Sequence, residues 1–383
     1  MNTIQPPKYV IHILNTLERS GYEARLVGGC VRDTLLHRRP NDWDVATAAA
    51  PEAVTELFER TVPTGIRHGT VTVLYGGSAC EVTTYRVEGA YSDHRRPDSV
   101  RFTSRLEEDL SRRDFTVNAM AMDASLAITD PFGGREDLSR RLIRCVGDAR
   151  ERFTEDALRM LRAVRFAAQL DFALDSAALE AIAGCAPLCS ALSPERVAAE
   201  LRAVLASRNP DMVWLMADLG LLNAWLTPRE GERTHLSALP RCARLAHFCS
   251  DLSRCGSITS TDAFLRSLRM DTRSVKTCSA AAEILASGSR DYKRLLRDYG
   301  EDAVLAAYPK SRRLRAVLRS GECWSLASLA ITGGELAALG YAGRELGEEL
   351  RRLLEHVIDC PEDNRPEILC KLASERIEGY DRA

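Results

Sequence analysis

The residues best suited to chemistry gather between Gly28 and Asp44. They form the run Gly28-Gly29-Cys30-Val31-Arg32-Asp33 and, after Arg38-Arg39-Pro40-Asn41, the triplet Asp42-Trp43-Asp44. Side chains alternate along an extended chain, so Asp42 and Asp44 point to one face, and two same-face carboxylates at a strand start suit magnesium. The glycine pair lets the backbone turn tightly and approach a ligand. A helix opening there presents unpaired N–H groups and aligned peptide dipoles to a phosphate, and Arg32 adds a fixed cation one turn in. A triphosphate fits such a grip. Gly-Gly alone is commonly only a turn and Asp-x-Asp a solvated pair; the combination at this spacing is far more specific.

Two later stretches carry matching chemistry. In Ser111-Arg112-Arg113-Asp114-Phe115-Thr116-Val117-Asn118-Ala119-Met120, a cationic turn feeds an apolar strand. Arg113 can pair with phosphate or ribose oxygens. Asp114 can accept a hydrogen bond from a ribose 2′-hydroxyl, which a deoxynucleotide lacks, so it would select ribonucleotides. The run Thr154 to Phe166 reads as a helix with Thr154 as N-cap and acids in its first turn. Asp156 and Arg159 are neighbours at i,i+3, and Arg162 and Arg165 each lie roughly 60° further round. Such a pair is commonly a surface salt bridge. Cytosine and adenine, however, each present an amino donor beside a ring acceptor, which an Asp acceptor and an Arg donor match. Uracil and guanine mispair with both, at a cost of a few kcal/mol in a dry pocket, or roughly hundredfold discrimination. His68 reads as a packing or hydrogen-bonded histidine rather than a base or ligand. Glu81, on a strand that can approach Asp42 and Asp44, is either a third acidic group or a solvent-facing strand residue.

The elements that must position these residues follow from periodicity. Val10, Ile13, Leu14 and Leu17 make Tyr9 to Ser20 an amphipathic helix closed by Gly21. A strand ends at Leu26-Val27, and Pro51 starts another helix with Val54, Leu57 and Phe58 inward. Strands are expected at Val62, Thr70 to Tyr75 and Glu81 to Tyr85, with Gly76-Gly77 as a hairpin turn. The segment Arg86 to Arg105 is a long polar loop centred on Tyr91-Ser92-Asp93-His94-Arg95-Arg96-Pro97. Asp130 to Leu138 reads as a turn-rich connection and Leu142 to Val146 as a last strand. Beyond Gly147 the pattern is helical.

Composition limits the alternatives. The chain has 383 residues, 45% hydrophobic and 28% charged, enough for two or more domains. Its net charge of −2 argues against a blanket nucleic-acid coat, so any RNA affinity must come from local patches. Arg290, Lys293, Arg294 and Arg297 form one basic stripe and Arg312, Arg313, Arg315 and Arg319 a second cluster; either could meet an RNA phosphate backbone or simply face solvent. The 12 cysteines contain no Cys-x-x-Cys pair, and Cys185 and Cys189 lack a matching set, so reduced, mostly buried thiols are expected. No run of about 20 apolar residues suggests a membrane span and no signal peptide is evident, so a cytoplasmic protein is expected.

The Gly28–Asp44 run resembles motif A of the class II nucleotidyltransferases, the tRNA CCA-adding enzymes and bacterial poly(A) polymerases, within the superfamily that includes DNA polymerase β. Ser111–Met120 resembles motif B, Glu155-Asp156-x-x-Arg159 motif D, and Ser193-Pro194-Glu195-Arg196 motif E, which looks structural. Pro63 to Thr70 and the tail from Ile331 to Asn364 are more similar to CCA-adding enzymes than to poly(A) polymerases, and the absence of a His-Asp doublet leaves out the fused phosphohydrolase domain of some relatives. The resemblance implies an α+β fold: a mixed-sheet, DNA polymerase β-like head over residues 1–147, a helical neck over 148–215 and a helical body and tail over 216–383 that bind tRNA. It implies addition of C, C and A to tRNA from CTP and ATP, with two Mg²⁺ on Asp42 and Asp44. It assigns triphosphate and ribose contacts to Gly29, Arg32, Arg113 and Asp114, base reading to Asp156 and Arg159, and supporting nucleotide contacts to Arg162 and Arg165. A mobile loop at Arg86–Arg105 favours complete CCA activity. The alternatives are a poly(A) polymerase or A-adding partial enzyme, and a non-catalytic RNA- or nucleotide-binding module on the same fold.

Overall fold

The computed structural model describes residues 4–89, 91 and 98–380; the centre of the polar loop, Ser92 to Pro97, lies outside them. The chain gathers into two units, Met1–Pro228 and Arg229–Ala383.

The first unit opens with α1 (Lys8–Arg19), whose stripe of Val10, Ile13, Leu14 and Leu17 is buried as its periodicity requires. Gly21, at φ 86°, lets the chain turn away. Then follow β1 (Ala24–Val27), α2 (Gly29–Leu35), β2 (Asp44–Thr47), α3 (Pro51–Leu57), β3 (Thr61–Gly65), β4 (Thr70–Tyr75), β5 (Ser78–Thr84), β6 (Arg86–Glu88) and β7 (Val100–Phe102). After α4 (Leu106–Ser111) come β8 (Ala121–Met122), β9 (Ile128–Thr129), α5 (Gly134–Arg140) and β10 (Leu142–Ile143). Among the described residues, seven strands form one mixed sheet in the order β3-β4-β5-β2-β1-β8-β9. Its central pair, β2 and β5, is parallel and sets Asp44 opposite Glu81, while β1 runs antiparallel to β2 and sets Val27 opposite Asp44. Val27, Ala46, Tyr85, Leu106, Leu110 and Ala121 pack into one buried cluster beneath that register.

Three expectations need correction here. The apolar part of Ser111–Met120 is a 3-10 turn, Thr116–Asn118, followed by the two-residue β8, because Asp114 and Asn118 turn back onto each other instead of extending. The strand expected over Leu142–Val146 is only β10, paired in parallel with β11 (Ala173–Leu174) outside the main sheet. The connection at Asp130–Leu138 contains a helix, α5. The Asp130 carboxylate accepts the Gly134 and Arg135 N–H groups at 2.7 and 2.9 Å, and a Cβ on Gly134 would sit 2.3 Å from the Thr116 carbonyl oxygen.

The unit closes with α6 (Ala149–Glu155), α7 (Leu158–Leu170), β11, α8 (Ser176–Cys185), α9 (Pro194–Leu205) and α10 (Met212–Asp218). The single helix expected to begin at Thr154 is two. Thr154 lies inside α6, and Asp148 caps that helix by accepting the Glu151 N–H at 2.9 Å. Asp156 stands at the break, where its carboxylate accepts the Leu158 N–H at 3.0 Å.

The second unit is helical: α11 (Arg241–Arg254), α12 (Thr261–Ser267), α13 (Thr272–Ser287), α14 (Tyr292–Tyr299), α15 (Glu301–Ala307), α16 (Arg312–Ser320), α17 (Gly333–Ala338), α18 (Gly343–Asp359) and α19 (Pro366–Tyr380). Leu336, Leu353, Leu354, Val357 and Leu369 centre its C-terminal core. Of the expected basic stripe, Arg290 precedes α14 and lies exposed over the Tyr308 ring, and the three cations on α14 are engaged by acids. Arg294 pairs with Asp291, Glu355 and Asp359, Arg297 with Asp298 and Glu355, and Lys293 with Glu322. Arg312, Arg313, Arg315 and Arg319 on α16 stay exposed. No helix among the described residues is long and apolar enough to cross a membrane.

Candidate nucleotide-binding cleft

At one end of the site, α2 begins after a glycine at φ 77°, a conformation that other residues rarely adopt. A Cβ on Gly28 would lie 3.2 Å from the Arg113 guanidinium, so this glycine also permits close approach of that cation. Because α2 has only seven residues, its dipole is short, and the guanidiniums of Arg32 and Arg113 dominate the positive field. Arg32 is fixed by Asp33 Oδ1 at 2.9 Å and by Asn118 Oδ1 at 2.7 Å. Arg113 is tied to the buried carboxylate of Asp109 at 3.1 Å.

Asp42 is exposed just before β2, and Asp44 is the half-buried first residue of that strand. Burial, then the neighbouring Glu81 charge, hold the Asp44 carboxyl above the ordinary range; Arg113 opposes this and Asp42 adds to it. Glu81 thus sits beside Asp44, by register and by charge. Cys30 and Cys80 lie beside them as protonated packing groups: burial pushes the thiols up to about 11 and about 12, and they donate to the Val27 and Trp43 carbonyls at 3.3 and 3.2 Å.

At the other end, each carboxylate has an arginine. Asp109, fully buried, also accepts Arg112 Nε and Nη2 at 2.9 and 2.8 Å. Asp114 accepts Arg162 Nε at 2.8 Å and the Phe115 N–H at 2.9 Å. Burial alone would raise its pKa, but Arg162 and the Asn118 amide outweigh this and hold it below the usual range. Arg165 Nε lies 2.7 Å from Glu200 Oε2, out of line for a hydrogen bond. The Phe166 ring is flanked by the guanidiniums of Arg32, Arg162 and Arg165, at 5.4, 5.3 and 4.4 Å.

Asp156 and Arg159 are not paired with each other as their spacing predicts. Asp156 is held by Arg196 of α9 at 2.9 Å, while Arg159 bonds Glu155 and reaches the Arg112 carbonyl at 3.3 Å, because the break between α6 and α7 separates them. Even so, Gly29, Arg32, Asp42, Asp44, Arg113, Asp114, Asp156, Arg159, Arg162 and Arg165 all line one cavity of about 980 Å³. Sequence reasoning did not single out Asp109, Asn118, Phe166, Arg196 and Glu200 for the site. Arg196 carried a signal, the Ser193-Pro194 helix start that aims it; the buried acids carried none.

Residues 24–144 match the poly A polymerase head domain, and residues 171–229 match a probable RNA- and SrmB-binding site of polymerase A. Head and fold thereby place the chain in the class of proteins built on a poly A polymerase head. The CCA-adding enzyme of Geobacillus kaustophilus is 52% identical over 220 residues, 57% of this chain and 54% of that protein. That of Limosilactobacillus reuteri is 51% identical over 198 residues, 52% of this chain and 49% of that protein. The chain thus spans about half the length of these curated relatives. The crystal structure of the Bacillus stearothermophilus CCA-adding enzyme in complex with CTP superposes with a TM-score of 0.81 and 33% identity, covering 99% of this chain and 100% of the other. The chain belongs to the family of the CCA-adding enzymes, the class II tRNA nucleotidyltransferases.

Proposed function

We propose that this protein adds C, C and A to the 3′ end of tRNA without a nucleic-acid template, using CTP and ATP. The observation that carries this reading is the single cavity that joins a carboxylate pair, a cation-flanked glycine turn and the Asp156 and Arg159 side chains. A relative of the same length, 33% identical, binds CTP, which supports the nucleotide class.

The residues fit a hard divalent cation. Asp42 and Asp44, with Glu81 opposite Asp44 in the sheet, offer only oxygen ligands, and the Asp44 carboxyl, raised first by burial and then by the Glu81 charge, is a group whose ionised form a cation would stabilise. Magnesium held there would lower the pKa of the attacking tRNA 3′-hydroxyl and offset the triphosphate charge. The Gly29 amide, Arg32 and Arg113 bind the triphosphate. Asp114 accepts the ribose 2′-hydroxyl while Arg162 orients it. Asp156 accepts from the amino group of cytosine or adenine, Arg159 donates to the adjoining ring acceptor, and Arg196 orients Asp156; Arg165 supports the base through Phe166. In domain terms, residues 1–147 are the head, 148–215 the neck and 216–383 the tRNA-binding body and tail. The protein works in the cytoplasm, where all 12 cysteines can remain the free thiols seen here.

Incubation with a tRNA ending at its discriminator base, plus labelled CTP and ATP, tests the proposal. Incorporation of C, C and then A, stopping there, is expected. Long A tails would instead mark a poly(A) polymerase, and no incorporation a binding module.

A further inference from the structure

Outside the cleft, side chains of metal-ligand type converge at the C-terminal end of α18. His356 lies in the last turn of that helix, Cys360 caps it, and Asp363 ends the 3-10 turn Pro361–Asp363. One ligand atom from each lies within 4.8 Å of the others, and His356 Nε2 is 2.8 Å from Asp363 Oδ2. The spacing of His356 and Cys360 places both on one helix face.

The backbone fixes this arrangement independently of the side chains. The Cys360 N–H donates to the His356 carbonyl at 2.8 Å, and the Asp363 N–H to the Cys360 carbonyl at 3.0 Å. Asn364 anchors the turn from the other side: its Oδ1 accepts the Ala330 N–H at 2.7 Å and its Nδ2 donates to the Ser328 carbonyl at 3.0 Å. Arg294 is engaged with Glu355 and Asp359, and Lys293 with the Ile358 carbonyl. An imidazole nitrogen, a thiolate sulfur and a carboxylate oxygen form the donor set of a borderline divalent ion, not of magnesium. Three ligands leave a fourth position to water.

We propose that His356, Cys360 and Asp363 bind a divalent cation of the zinc type, which clips the end of α18 to the turn leading into α19. The test uses the metal-free full chain carrying Asp42→Ala and Asp44→Ala, so that the cleft contributes no cation site. Cobalt(II) is titrated as the spectroscopic probe, then displaced by zinc against a chromogenic chelator. Thiolate-to-cobalt charge-transfer absorption saturating at one equivalent is expected, absent after Cys360→Ser and with affinity roughly tenfold or more weaker after His356→Gln. Zinc is expected to raise the melting temperature of the parent but not of the Cys360→Ser chain. Should Cys360→Ser fail to fold, Asp363→Asn takes its place, with loss of affinity expected. Absence of the absorption in the parent, or its persistence unchanged in these variants, would overturn the proposal and leave an ordinary His–Asp pair.

Discussion

At one end of the cleft Asp42 and Asp44 stand with Glu81 opposite Asp44 in the sheet and only Arg113 drawing on Asp44, whereas at the other Asp114 and Asp156 are each met by an arginine. At Asp44 burial and then the Glu81 charge outweigh the pull of Arg113, while at Asp114 Arg162 overcomes burial. At the first end the carboxylates have fewer cationic partners, the setting proposed above for a divalent cation. The second is neutral within itself and rigid, as a surface that reads hydrogen bonds must be.

The largest expected break in this contrast is chemical. Asp42→Ala or Asp44→Ala should cut nucleotide incorporation by roughly 10³-fold or more, with circular dichroism unchanged, since either removes a cation ligand. The same contrast has a stability signature of opposite sign at its two ends. Asp114→Asn leaves Arg162 underpaired and should destabilise by about 1–3 kcal/mol, less than the loss of a fully buried pair because Arg162 is a third exposed. Asp44→Asn, without metal near neutral pH, should raise the melting temperature by about 1–3 °C.

The pH dependence follows the same signs. Asp44 holds its proton to higher pH when folded than unfolded. Its contribution to stability is therefore present below about pH 4 and is lost as pH rises through the raised folded value. Asp114 contributes above about pH 4, and that contribution is lost as pH falls through its depressed folded value. Melting curves of the two Asn variants from pH 3 to 7 should diverge from the parent in opposite directions. The smallest effect extends the contrast to the second unit. Arg312→Ala with Arg313→Ala, both exposed, should lower the salt slope of tRNA binding by up to about 2, whereas Arg294→Ala, whose charge is already spent on three acids, should leave that slope unchanged.

What sequence made legible divides along similar lines. The placement of Gly28, Arg32, Asp42 and Asp44 in one cavity could be read because it depends on short spacing: a strand, a positive-φ glycine, a short helix and a strand start. The α1 face was legible because four apolar residues at helical period have one way to be buried. The arginine end was not, because its geometry depends on partners far along the chain. Asp114 meets Arg162 and Asp156 meets Arg196, pairings that spacing cannot predict. The break between α6 and α7 was hidden for a related reason. Asp156-Ala157-Leu158 suits a continuous helix locally, yet the Asp156 carboxylate takes the Leu158 N–H and Arg196 instead. On α14, cations at helical spacing fit an RNA-facing stripe and a solvated face equally, and only tertiary packing brings Glu355 and Asp359 against them.

The central claim is that one end of the cleft supports transfer while Asp156 and Arg159 choose the base. It is tested most directly by measuring incorporation of each of the four ribonucleotides onto tRNA ending at the discriminator base and onto tRNA ending in CC. The parent should take CTP on the first and ATP on the second. Asp156→Ala and Arg159→Ala should retain measurable transfer and admit UTP and GTP, with discrimination reduced roughly hundredfold. Unchanged discrimination, or a loss of transfer equal for all four nucleotides, would contradict the account.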